Sequence, residues 1–136
     1  MDHSLRFRIS YAFDALDSGI TIPVSLRLGE QMIYCRANID TGAQVCLFQR
    51  ETGESLGLPI EQGHRRMMDT LAGSFTAYGH QVTLHTLGLD FDSMVYFAAA
   101  DNLSRNLLGR EGWLQKVRLA VIDYDAAIYL SHYDYT

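Results

Sequence analysis

This sequence predicts a mostly β chain closed into a small barrel, on three observations. Apolar and polar residues alternate over many short runs, Gly, Asp and Asn separate those runs, and only one or two short segments read as helix. Many short strands with so little helix suggest a small barrel. A length of 136 residues suits one compact domain, residues 1–136, and a hydrophobic content of 48% is enough for a buried core.

The elements follow in order. Leu5 to Phe13 alternates Leu, Phe, Ile and Tyr against Arg, Arg and Ser, and Asp14 to Gly19 breaks the run. Ile20 to Leu28 resumes it, Gly29-Glu30-Gln31 reads as a hairpin turn, and Met32 to Ile39 is the next strand. Val45 to Phe48 is a short apolar strand. Gln49 to Leu56 is the first helical candidate, with Gly57 as its C-terminal cap and Pro59 as the stop beyond it. Residues 61–66 are polar and read as loop. Met67 to Tyr78 reads as a hairpin around Gly73, followed by strands at Gln81 to Leu89 and Met94 to Ala99. A short helix is expected around Trp113. Arg118 to Tyr124 and Ala127 to Leu130 form a last hairpin across Asp125.

Composition removes several functions. The net charge is −5 with only 11 Lys and Arg, and the densest basic pair, Arg65-Arg66, is isolated, so phosphates have no basic patch to meet and no nucleic-acid partner is expected. No apolar run approaches the roughly 18 residues of a membrane span, and the first residues lack a signal-peptide core, so a cytoplasmic protein without a membrane partner is expected. Cys35 and Cys46 sit in apolar contexts and are expected as reduced thiols. The five histidines, His3, His64, His80, His85 and His132, show no ligand spacing, and no phosphate loop is present, so no metal or other cofactor is expected.

One stretch carries chemistry. Asn38-Ile39-Asp40-Thr41-Gly42-Ala43 places an aspartate in a tight turn directly after a strand. A catalytic carboxylate must be held outward and rigid. Gly42 permits a backbone shape other residues resist, Thr41 offers a hydroxyl to lock the turn, and Ile39 anchors the strand. Two such carboxylates at hydrogen-bond distance share one proton, and the pair can activate a water as general base and acid. Only one convincing copy is present, so a homodimer is expected. Ala43 cannot donate a hydrogen bond to the carboxylate as Ser or Thr would, which predicts activity reaching less acidic pH.

Two other motifs compete and fail. Asp17-Ser18-Gly19 is an acidic turn too close to Asp40 to have a strand scaffold of its own. Gly53-Glu54-Ser55-Leu56-Gly57 matches a nucleophile elbow in letters, but a polar segment precedes it and a helix stop follows.

A second segment, Leu107-Leu108-Gly109-Arg110, follows about seventy residues after Asp40. Together the two segments resemble those of the retropepsins, the single-lobe aspartic proteases, over approximately residues 20–130. The resemblance implies an acid-protease barrel and a homodimeric endopeptidase acting on peptides, each subunit supplying Asp40, with Thr41 bracing the dimer and Gly42 and Ala43 completing the turn. It implies that Leu107, Leu108, Gly109 and Arg110 pack behind the aspartate loop and that Glu111 to Lys116 forms a short helix. Leu71, Ala72, Gly73 and Ser74 fall where the family has its flap, with backbone near Ala72 and Gly73 meeting the peptide. Gln44 departs from the acidic residue that usually follows the alanine, leaving Arg110 without its usual partner, and Gly73 stands alone at the centre of the flap. These departures keep an alternative in play, a dimer that binds peptides or partners without cleaving them.

Overall fold

The computed structural model describes residues 1–71 and 73–136. The chain forms β1 (Ile9–Ala12), β2 (Thr21–Leu28), β3 (Gln31–Ile39), β4 (Leu47–Phe48), α1 (Arg50–Ser55), β5 (His64–Thr70), β6 (Gly73–Thr86), β7 (Leu89–Ala98), β8 (Asn106–Leu108), β9 (Val117–Ile122) and β10 (Ala127–His132). Strands run in the order β2-β3-β8-β4-β7-β6, and β6 pairs back onto β2, so six strands close a barrel. β5 hangs on the outside of β6 as the second arm of a hairpin, and β1, β10 and β9 make a separate three-stranded sheet.

Local chemistry explains the turns. Leu28 pairs with Gln31, so Gly29 and Glu30 alone make the β2–β3 turn, and Gly29 takes φ +59°. β6 and β7 are joined by Leu87 and Gly88, both at positive φ, which is the two-residue geometry that suits strand twist. The sequence reading ran Gln81 to Leu89 as one strand and missed this turn, because a leucine at positive φ carries no turn signal. The helix at Arg50–Ser55 ends as expected, with Gly57 at φ +85° donating its N–H to the Glu54 carbonyl.

Alternation accounts for the strands. β7 begins buried, exposed, buried, exposed through Leu89-Asp90-Phe91-Asp92, then becomes buried throughout where both of its faces are covered. Residues 64–66, expected as loop, instead begin β5, in which Arg66 and Met68 turn toward the protein and their neighbours outward. The barrel is filled by Ile22, Leu26, Phe48, Leu84, Phe97 and Leu108, and Trp113 plugs it with its indole N–H donating to the Thr86 hydroxyl at 2.9 Å. The helix expected over Glu111 to Lys116 is reduced to a 3-10 turn at Leu114–Lys116. Gly112 at φ +95° and the irregular backbone of Trp113, whose side chain is fully buried, interrupt any longer one.

Asp17-Ser18-Gly19 lies in the bend between β1 and β2, closed by the Asp17 N–H on the Asp14 carbonyl. Ser55 lies on α1, not on a strand-to-helix elbow. No helix among the described residues is long and apolar enough to cross a membrane.

Candidate active site

β3 ends at Ile39 and delivers Asp40 to one end of the barrel, half-buried. The carboxylate Oδ1 accepts the Gly42 N–H at 2.9 Å, and the Asp40 carbonyl accepts the Ala43 N–H at 3.2 Å. These two bonds close the turn. The Thr41 hydroxyl does not: it is exposed and has no hydrogen-bond partner among the described residues.

The turn is fastened from behind. Asp40 donates its N–H to the Leu108 carbonyl at 3.0 Å. Arg110 and Glu111 donate theirs to the carbonyls of Ala43 and Gln44 at 2.9 and 2.8 Å. Gly109 is required by contact, since a Cβ there would lie 2.1 Å from the Val45 carbonyl oxygen and 2.8 Å from that of Ala43. The expected segment 107–110 therefore does meet the aspartate loop. The Arg110 side chain makes no ion pair among the described residues.

Leu107 and Leu108 point to opposite faces of β8. Leu108 is fully buried in the barrel core, whereas Leu107 packs against a second apolar cluster of Val45, Leu47, Ala77 and Tyr96. Met68 of β5 and Phe75 of β6 rest on that same cluster. The 64–86 hairpin thus leans its base on apolar side chains belonging to the aspartate loop and β8.

At the hairpin tip, Thr70 pairs with Gly73, and Gly73 sits at φ +125°. The Thr70 hydroxyl donates to the Gly73 carbonyl at 2.8 Å, and the Ser74 hydroxyl to the Asp69 carboxylate at 2.7 Å. Leu71 is fully exposed, and Ala72, expected beside it in the flap, lies outside the described residues. One residue that sequence reasoning overlooked ties the hairpin down. Arg66 lies 3.5 Å from the Glu111 carboxylate and 5.6 Å above the Tyr96 ring. The alternation of Arg66 and Met68 with Arg65 and Met67 was the available signal.

Cys35 and Cys46 are free thiols, and burial pushes both up to about 11. No group of three or more His, Cys, Asp or Glu able to hold a metal occurs among the described residues.

A closed barrel, one aspartate turn clamped by a Leu-Leu-Gly-Arg segment and a hairpin at the same end define a retropepsin-like fold. The aspartyl protease family model matches residues 23–111, and the chain belongs to that family. Among solved structures, a retropepsin-like aspartic protease from Rickettsia conorii superposes with a TM-score of 0.67 at 18% identity, covering 90% of this chain and 97% of that one. The EIAV protease complexed with the inhibitor HBY-793 superposes with a TM-score of 0.54 at 17% identity, covering 70% of this chain and 85% of that one. Comparison with curated proteins gives no match.

Proposed function

We propose that this chain is one half of a homodimeric aspartic endopeptidase, with Asp40 as the catalytic residue. The observation that carries the reading is the Asp40 carboxylate, held by the Gly42 N–H on a turn clamped to residues 108–111. One such carboxylate cannot serve as both acid and base at once, and a second copy of the chain supplies the other. The ionised member takes a proton from a water held between the two. The oxygen of that water attacks the scissile carbonyl carbon, while the protonated member donates to the carbonyl oxygen. Collapse of the tetrahedral intermediate breaks the C–N bond as the amine leaving group takes up a proton. The apparent ionisation constants belong to the pair, not to either aspartate.

The exposed Thr41 hydroxyl, without a hydrogen-bond partner among the described residues, suits a contact with its twin across the two-fold axis. The apolar group of Leu47, Leu107, Met68 and Phe75 beside the turn suits a substrate with large apolar side chains near the scissile bond. In this reading Gly73, in the hairpin at φ +125°, supplies backbone contacts to that peptide.

The alternative, a peptide-binding dimer that does not cleave, draws on Gln44 and on a flap with Gly73 alone at its centre. Asp40→Asn separates the two, because an asparagine oxygen can still accept the Gly42 N–H. Peptide-library cleavage across roughly pH 3–8, read by mass spectrometry, is expected to fall about a thousandfold or more in Asp40→Asn while sedimentation shows an unchanged dimer. Equal products from both proteins, or no cleavage by a wild-type dimer, would sink the endopeptidase reading.

A further inference from the structure

A groove of about 620 Å³ is lined by β3, by the 49–55 segment and by residues 104–106. β3 is paired along its whole length with β2, but β8 meets it only at Ala37 to Ile39. From Gln31 to Arg36 its other edge has no strand beside it among the described residues. The Ile39 N–H bonds the Ile20 carbonyl, so odd-numbered residues of β3 direct their backbone groups toward β2. The Asp40 N–H bonds Leu108, and the Arg36 carbonyl accepts from Asn106 Nδ2 at 3.0 Å, so even-numbered residues direct theirs the other way. Met32 and Tyr34 therefore turn N–H and C=O groups into the groove, where the chain offers them no partner among the described residues.

The charge at this edge is also unusual for an acidic protein. Arg36 donates to the Thr21 carbonyl at 3.3 Å, and Arg105 donates to the Ser18 carbonyl at 3.2 Å. Backbone carbonyls thus orient both guanidiniums, and neither forms an ion pair among the described residues. Glu51 is the one carboxylate lining the groove. Tyr34, 81% exposed, presents its ring on the same strand.

We infer that the open edge of β3 from Met32 to Arg36 is a docking site for an extended acidic peptide segment of a partner protein, added as a strand. The peptide main chain pairs with the backbone groups of Met32 and Tyr34, and its carboxylates meet Arg36 and Arg105. The groove walls favour one extended chain over the edge of a second sheet. An unprotected edge is ordinarily covered or blunted in a monomeric protein, and here only the arginines mark it. The site is separate from Asp40 and does not depend on cleavage there.

The test uses a fluorescein-labelled, end-blocked octapeptide of alternating Glu and Val, titrated with the full chain and read by anisotropy. Saturable binding is expected, weakened about tenfold in the Gln/Val peptide and in the double variant Arg36→Glu, Arg105→Glu. The same Glu/Val peptide with alternate amides N-methylated keeps its charge and is expected to lose binding. Amide cross-peaks of Met32 to Arg36 are expected to shift during the titration, which also reports whether each variant is folded. Absence of saturable binding would overturn the proposal. So would binding that survives N-methylation or charge reversal, or shifts confined to residues elsewhere. A change of oligomeric state in the charge-reversed protein would instead assign the edge to a second copy of this chain and overturn the peptide occupant.

Discussion

The aspartate loop and the 64–86 hairpin lie at the same end of the barrel but are held in opposite ways. The loop is fixed from behind by backbone bonds to residues 108–111 and by a glycine contact with no room for a methyl group. The hairpin is held at its base by side chains, Met68 and Phe75 on an apolar cluster and Arg66 on Tyr96 and Glu111, while its tip carries an exposed Leu71. Backbone bonds persist through most side-chain changes and only the Gly109 contact forbids a side chain, whereas the hairpin's contacts depend on which side chains are present. One end of the barrel thus combines a fixed turn with a hairpin held more adaptably.

Two glycines break this comparison most directly. Gly109→Ala drives a Cβ into the Val45 carbonyl and is expected to cost about 3–5 kcal/mol, seen as a large drop in urea midpoint together with lost cleavage. Gly73→Ala meets open space and is opposed by its φ of +125° alone, so about 1–2 kcal/mol is expected, with cleavage slowed in a protein that stays folded. Equal losses of stability would erase the distinction between loop and hairpin.

Arg66→Ala removes the hairpin's polar tie. Both partners are partly exposed, so a stability loss of only about 0.5–1 kcal/mol is expected. If the proposed endopeptidase uses the hairpin to hold substrate, KM should rise about threefold to tenfold with kcat less affected. A kcat loss with unchanged KM would place Arg66 in the chemistry instead.

Ala43→Ser tests the loop more gently. A serine hydroxyl near the carboxylate pair favours its ionised form, so the acidic limb of the kcat/KM profile is expected to move to lower pH. A limb that stays or rises would show that the hydroxyl cannot reach the pair.

A pH-dependent effect belongs to the two thiols, half-buried Cys35 and buried Cys46, each raised by burial from 9.0 to about 11. Above pH 9 the unfolded chain releases protons that the folded chain retains, so stability falls between pH 9 and about 11 and is unaffected by these groups below that window. Urea midpoints at about pH 8 and 10 in reductant check this. The decline should be shallower in Cys46→Ala, measured against its own value at the lower pH.

The barrel and the aspartate turn were legible in the sequence because both rest on local rules. Alternation marks strands, and Asp-Thr-Gly after an apolar run marks the turn. The contact of Gly109 with Val45 was legible only through resemblance, since the two residues are brought together by the parallel pairing of β3 and β8. Arg66 escaped because a basic pair in a polar stretch resembles loop until the register of β5 on β6 is known. Leu87 escaped because nothing in a leucine announces positive φ. The Thr41 hydroxyl was read as locking its own turn, but backbone groups and the carboxylate of Asp40 suffice.

The sheet of β1, β10 and β9 sets an order in time. β1 pairs Ile9 with Leu130, and Phe13 shares the barrel core with Trp113, Ile128 and Leu130. On a ribosome, β1 therefore emerges well before β10, its partner, an interval on the order of ten seconds at ordinary rates of synthesis. Gly109 and Trp113, the underside of the aspartate loop and the plug of the barrel, also arrive late. A nascent chain carrying Asp40 lacks the scaffold that holds the carboxylate until residues 108–113 have been made, so the geometry of this turn is set roughly seventy residues after the turn itself.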